Sequence, residues 1–238
     1  MEQAVLFDVE NGVALITLNR PERRNAINQA LLKQLYDCID RARNDSGIKA
    51  VIITGSGKAF CAGLDLDCFA TENLFDPRGD GSDLPDVFAA CHKPIIGAVN
   101  GYAITGGFEL ALNCDFLIAS EAASFADTHA KIGVHPGWGM TQLLQQAIGQ
   151  RRAKQYSLSC QFMPAQLAFE YGLVNEVVAP DALISRAREI AAQIGEVNFD
   201  MMITIKKLIE TRNSTTSSDA LATERQGFKA LASQFFKS

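Results

Sequence analysis

The stretch that most constrains this chain is KPIIGAVNGYAITGGFELALNCD, residues 93–115. Its first half holds an unbroken apolar run, PIIGAV at 94–99, the pattern of a strand covered on both faces. A short stretch further on come two adjacent glycines, Gly106 and Gly107, and two residues later a carboxylate, Glu109, at what reads as the start of a helix. An ionised carboxylate buried without partners is costly, so a fold that takes Glu109 in between Phe108 and Leu110 must either partner it or use it. Strand, glycines, helix is also a geometry that leaves the first helical N–H groups without internal partners. Gly106 and Gly107 carry no Cβ to keep a ligand away from that backbone. The place suits an oxygen that becomes negative during a reaction, and Glu109 in the first turn is the natural candidate for a general base.

A second strand-to-glycine turn, KAFCAGLDL at 58–66, offers another open N–H near Ala62. One donor steadies an oxyanion modestly; two converging donors form a hole worth several kcal/mol to an enolate or a tetrahedral intermediate.

The rest of the chain frames these turns. AVLFDVE and VALITLNR flank Asn11-Gly12, a hairpin signature. Asn28 is a good N-cap for an amphipathic helix with Leu31, Leu35, Ile39 and Ala42 on one face, ending near Ser46-Gly47. KAVIIT and DFLIAS add two more buried strands. Residues 71–86, TENLFDPRGDGSDLPD, are rich in turn formers and predict a mobile surface loop that sets the depth of any neighbouring pocket. From about 140 onward the periodicity is helical. The last two helices, over 200–212 and 218–236, carry apolar stripes including Phe228, Leu231 and Phe235, which predicts either subunit packing or docking within the chain. No internal repeat or long linker is visible.

Several function classes drop out. A net charge of −5 without a run of Lys or Arg gives no field for nucleic acid, so an anionic ligand has to be met locally, by the cluster Arg20, Arg23 and Arg24. No apolar stretch approaches the ~20 residues of a bilayer span, and the amino-terminal sequence reads as neither a signal nor a transit peptide. The six cysteines, at 38, 61, 68, 91, 114 and 160, form no CxxC pair and predict a reduced, cytoplasmic protein. VIITGSGKAF fails GxGxxG at Phe60 and fails the P-loop at Ile52 and Ala59. HExxH is absent and the three histidines lack metal-ligand spacing, so no metal is expected. Cys61 beside an N–H-rich turn is a conceivable nucleophile that would need a base partner.

RPERRNAIN at 20–28, KAFCAGLDL at 58–66, the 93–115 stretch and IGVHPGWG at 132–139 together resemble the enoyl-CoA hydratase/isomerase family, the crotonase superfamily, from the hairpin through about residue 178. The resemblance implies an α/β fold of the ClpP/crotonase type, a spiral of repeated β-β-α units over 1–195, followed by a helical region, 196–238, that mediates homotrimers or dimers of trimers. It implies an acyl-CoA thioester as substrate, with coenzyme A part of that substrate and no separate cofactor. By the same resemblance, Ala62 and Gly106 donate N–H groups to the thioester oxygen. Ala62, Gly63, Leu64 and Asp65 line the thioester and pantetheine path, and Arg23 and Arg24 meet the phosphates of the nucleotide.

One position departs from the pattern. Hydratases of the family pair the glutamate at Glu109 with a second one before the PG motif, and counting back from Pro136 puts His129 there, with Asp127 close by. Glu109 and a protonated or relaying His129 could share the addition or removal of water at an enoyl double bond. A double-bond isomerase, a thioester hydrolase, a decarboxylase and a weakly active acyl-CoA binder are the alternatives. His92 and His135 match no catalytic position. Thr105 stands where many relatives have a third glycine, Trp138 is a candidate wall of the acyl pocket, and Lys229 or Lys237 could reach a neighbour's coenzyme A.

Overall fold

The computed structural model describes residues 3–235, the side chains of the last two excepted. Strands β1 (Val5–Glu10) and β2 (Val13–Leu18) pair antiparallel through a turn in which Asn11 and Gly12 both take positive φ, 50° and 76°. Those angles match the right-handed twist of the two strands, which is why Asn-Gly is the residue pair found there. Helix α1 (Gln29–Asn44) follows, its cap the Asn28 side chain accepting the Leu31 N–H at 2.9 Å. Its apolar face, including Leu31, Leu35, Ile39 and Ala42, is buried.

A strand–strand–helix unit then repeats three times. The first is β3 (Ala50–Gly55), β4 (Ala59–Cys61) and α2 (Leu84–Ala90). The second is β5 (Ile95–Val99), β6 (Tyr102–Ile104) and α3 (Gly106–Leu112), and the third β7 (Phe116–Ser120), β8 (Ser124–Ala126) and α4 (His129–Ile132). Helices α5 (Met140–Ile148) and α6 (Gln150–Ser159), strand β9 (Met163–Pro164), helix α7 (Ala165–Glu170), strand β10 (Glu176–Val178) and helix α8 (Leu183–Gly195) complete this part of the chain. The longer strands line up as β1-β2-β3-β5-β7-β10, and the short ones form a second sheet, β4-β6-β8-β9. Successive units therefore stack strand on like strand, parallel within both sheets from β3 to β7 and from β4 to β8. This is the spiral of β-β-α units.

The large sheet explains its own sequence. Val51, Ile53, Ile95 and Val99 point into the main core with α1, while Ile52, Ile96, Ala98 and Ile118 point the other way onto Leu183, Ala187 and Ala191 of α8. With both faces covered, both sets of alternate positions are almost wholly apolar, and the runs read as nearly continuous apolar stretches; Thr54, the polar residue of β3, is buried and donates to the Ala98 carbonyl at 2.8 Å.

The 71–86 segment is not the free loop that its composition predicts. Leu74 is buried, the Gln29 N–H at the start of α1 donates to Glu72 at 2.7 Å, and Arg78 pairs with Asp40 at 2.6 Å and Asp80 at 2.9 Å. The last residues of the segment belong to α2, closed at Asp83 by a capping box with Asp86. Turn-rich composition reported the irregular path and missed the side chains that fasten it.

The described chain divides into two compact units, 1–195 and 196–238. The second consists of α9 (Phe199–Thr211), capped by Asn198, and α10 (Ser217–Phe235). Phe228 and Leu231 on α10 are exposed; the Phe235 side chain and Lys237 lie outside the described residues. No described helix is long and apolar enough to cross a membrane.

Candidate active site

The two turns singled out by their glycines meet. α3 crosses β4 so closely that a Cβ on Gly107 would stand 2.1 Å from the Cys61 carbonyl oxygen, so only glycine fits. Gly63 takes φ +92°, and a Cβ there would lie 2.8 Å from the Ile104 carbonyl and 3.4 Å from the Gly106 nitrogen. The backbone of KAFCAGLDL thus runs against the first amide of α3.

RPERRNAIN holds that backbone in place. Asn25 is fully buried; its amide donates to the carbonyls of Ser56, Ala59 and Phe60, and its oxygen accepts the Arg20 N–H. Alongside, the Ala62 N–H donates to the Arg24 carbonyl at 3.0 Å, the Ile27 N–H to Gly63 at 2.7 Å and the Asp65 N–H to Ile27 at 2.8 Å. This corrects one expectation. The Ala62 amide is spent on Arg24 and has no second hydrogen to offer an oxyanion. The left-handed φ of Gly63 breaks the alternation of an extended strand, and the next amide, Leu64, makes no hydrogen bond among the described residues. Leu64 and Gly106 carry the two open N–H groups, with the Leu64 side chain 3.7 Å from a Cβ position on Gly106.

Asp65 and Arg20 change roles as well. The Asp65 carboxylate is buried and paired with Arg20 Nη1 at 3.1 Å, which removes Arg20 from the basic cluster. Arg23 and Arg24 remain, with Ala62, Leu64 and Asp65, around a concavity of about 330 Å³. Arg23 pairs with Asp67 at 3.0 Å, both largely exposed. Exposed pairs of this kind contribute little, so the guanidinium is free to exchange its partner for a phosphate.

Glu109 is 2% exposed. Its Oε1 accepts the Trp138 N–H at 2.8 Å and the Met140 N–H at 3.2 Å, while Oε2 lies 3.5 Å from Nε2 of His129. IGVHPGWG therefore supplies backbone donors that fix one carboxylate oxygen and leave the other facing the histidine. Asn113 straps the same segment to α3 by donating to the carbonyls of Glu109 and Trp138, both at 2.8 Å. The Trp138 ring stands 3.3 Å from a Cβ position on Gly106, a wall beside the open amide.

His129 is itself buried, with Nδ1 2.7 Å from Asp127 Oδ1. Burial alone would lower its pKa, but hydrogen bonds and attraction to Asp127 and Glu109 outweigh that and push it up to about 9. Burial would likewise raise Asp127, yet His129 and the Ser157 hydroxyl hold it below the ordinary aspartate value. Asp127, His129 and Glu109 thus stand in a row, with the imidazole between them favoured in its charged form. A hydroxyl contact between Thr105 and Thr128 ties the turn before Gly106 to the residue before His129.

Other candidates fall away. Cys61 is fully buried, and burial pushes its thiol up to about 12, which leaves no thiolate at neutral pH. His92 and His135 are exposed. Among the described residues no group of three His, Cys, Asp or Glu side chains could hold a metal ion. Asn113, four residues after Glu109 on one helical face, and Thr128, next to His129, stand within reach of a sequence reading. The open amide at Leu64 has no such signal, because an N–H is open only when nothing elsewhere in the fold takes it.

A sequence profile described as enoyl-CoA hydratase/isomerase matches residues 8–237. The chain is 39% identical over 228 residues to a probable peroxisomal enoyl-CoA hydratase of Arabidopsis thaliana, covering 95% of this chain and 85% of that one. It is 38% identical to a short-chain-enoyl-CoA hydratase of Clostridium acetobutylicum over 94% of this chain and 87% of that one. A crystal structure of an enoyl-CoA hydratase from Mycobacterium tuberculosis superposes with a TM-score of 0.81 at 39% identity, covering 99% of this chain and 100% of that one. With its stacked β-β-α units and a profile match that spans nearly the whole sequence, this chain belongs to the enoyl-CoA hydratase/isomerase family and has the crotonase fold.

Proposed function

We propose that this protein adds water to, or removes it from, the double bond of an enoyl-CoA thioester. The observation that carries the reading is Glu109, buried, fixed by two backbone N–H groups on one oxygen and turned to His129 with the other, beside the open amides of Leu64 and Gly106.

The coenzyme A phosphates sit against Arg23 and Arg24, and the pantetheine arm runs along Leu64 and Asp65. The thioester oxygen takes the Leu64 and Gly106 N–H groups. Glu109 accepts a proton from water as the water oxygen bonds to Cβ of the substrate. The double-bond electrons move toward the carbonyl, and the enolate oxygen that results is held by the two amides; a hole of this kind loses about 10²–10³ in kcat per missing donor. Nε2–H of the His129 imidazolium then protonates Cα. The proton left on Glu109 passes to His129 across their contact, so hydration ends with the site in its starting state.

The helices of 196–238 carry Met201, Ile205 and Ile209 four residues apart, all exposed, on α9. In this reading they pack against other copies of the chain in a homotrimer or a dimer of trimers, which sedimentation would report as a mass three or six times that of the chain.

Incubation with a panel of enoyl-CoA thioesters, followed by absorbance of the conjugated double bond and by product mass, tests the function. Loss of absorbance with a gain of one water supports it. A shifted double bond without mass change makes the protein an isomerase, released free coenzyme A makes it a hydrolase, and loss of carbon dioxide makes it a decarboxylase. Binding without turnover leaves an acyl-CoA binder.

A further inference from the structure

Asp127 is a buried carboxylate, 3% exposed, that touches neither open amide nor the concavity beside them. All its described interactions lead to His129 or away from the site. Oδ1 accepts from Nδ1 of His129 at 2.7 Å and from the His129 backbone N–H at 3.1 Å, and the Ser157 hydroxyl of α6 bonds the same carboxylate from behind. The charged groups facing His129 are Asp127 at the end of β8 and Glu109 of α3.

Charge accounting shows what this does. An Asp127 carboxylate with a His129 imidazolium is neutral overall and holds one transferable proton, at Nε2. So does one protonated carboxylic acid. Set beside an ionised Glu109, the dyad gives the site a net charge of −1, as two glutamates sharing a proton would. A histidine alone could not make this replacement. Buried, it would tend to be neutral, with a ring N–H too weakly acidic to give up, and Glu109, its other supporting charge, is neutralised when it takes the proton from water. At that moment Asp127 is what still stabilises the imidazolium.

We propose that Asp127 is a positioning residue that makes His129 a proton donor: by accepting Nδ1–H it turns Nε2 toward Glu109 and keeps the ring charged while Glu109 changes its own state. Ser157 steadies the far side of Asp127. The kinetic part of this inference rests on the hydration chemistry proposed above, and the spectroscopic part does not.

The test is the ¹⁵N NMR titration of the His129 imidazole in wild type and Asp127→Asn, with kcat and KM across pH for the same proteins. In wild type, Nδ1 carries its hydrogen throughout and the ring titrates near pH 9, as does the alkaline limb of kcat. In Asp127→Asn the titration falls by about 2.5 units or more, to or below the ordinary histidine value of about 6.5. Turnover at pH 8 falls roughly 10²–10⁴-fold, with KM within about threefold of wild type. In a His129→Gln background, Asp127→Asn changes kcat by less than about twofold, because residues acting as one unit are not additive. Asp127→Glu, which restores the charge, recovers part of the turnover. An unmoved titration in Asp127→Asn, or an equal kcat cost with and without His129, would overturn the proposal. Should wild type hydrate no enoyl-CoA, the functional reading fails on its own, and the NMR titration still decides whether Asp127 controls the protonation of His129.

Discussion

The large sheet and the site beside the small one are built from the same three strand–strand–helix units, and they treat burial in opposite ways. Where β3, β5 and β7 pack on α8, the buried positions are mainly apolar, Ile52, Ile96, Ala98 and Ile118, and the hydroxyl of Thr54 in β3 is satisfied by the Ala98 carbonyl at 2.8 Å. Where β4, α3 and the end of β8 come together, the buried side chains include Asp65, Glu109, Asp127 and His129. Each of these is held by a named donor or counter-charge: Arg20 for Asp65, two backbone amides for Glu109, and Asp127 for His129. One region contributes stability through apolar area, the other spends hydrogen bonds to hold charge at fixed places. The backbone shows the same contrast. Thr105, next to the open amide of Gly106, takes φ 53° and ψ −113°, which a β-branched residue rarely adopts. Strain of that kind persists only where the surroundings over-determine it.

Substitutions on the two sides should separate activity from stability, and the largest effect belongs to the site. If Glu109 is the base, as proposed, Glu109→Gln removes it but keeps the shape, so turnover should fall about 10²–10⁴-fold while coenzyme A affinity, read by calorimetric titration, stays nearly unchanged. Normal turnover in that variant would end the assignment of Glu109. The converse is Ile118→Ala, which opens a cavity between β7 and α8 and should cost about 2–5 kcal/mol of unfolding free energy. Its kcat/KM in the remaining folded protein should match wild type, and a parallel loss of kcat would show that sheet and site are not separable.

A smaller effect is expected in the pH dependence of stability. The His129 pKa is raised in the folded protein, so its contacts stabilise fully below the unfolded value of about 6.5 and lose that contribution as pH rises toward about 9. Thermal denaturation at pH 6 and pH 9 should show a larger drop for wild type than for His129→Gln; equal drops would mean the histidine is not charged in place. The smallest change is expected from Thr105→Gly. Relief of about 1–3 kcal/mol of strain is offset by about 0.4–1 kcal/mol of added freedom in the unfolded chain and by the lost Thr128 contact. Stability should move by less than about 1 kcal/mol, while turnover falls several-fold as Gly106 loses its tie to the His129 segment. A marked gain in stability with full activity would mean that the strain serves no purpose at the site.

Much of this was legible in the residues because it depends on near neighbours along the chain. Asn11-Gly12 needs two positive φ angles, Asn28 caps its own helix, and β3 and β5 are almost wholly apolar because both faces are covered. The small sheet was not legible: its strands are two or three residues long, too short for periodicity to register. The 71–86 segment misled for a related reason, since composition reports the turns and not the pairing of Arg78 with Asp40 across α1.

By itself, then, the sequence determined the hairpin, the first helix, the buried strand that opens each unit, the two glycine turns, and the pair Glu109 and His129 as the residues to watch. Tertiary structure alone decided which amides are open, that Ala62 is spent on Arg24 while Leu64 is not, that Asp65 belongs to Arg20, and that Asp127 stands behind His129. The physical reason is that periodicity and turn geometry are local properties of a chain. Whether a donor is free or a charge is paired is an account that closes only over the whole fold.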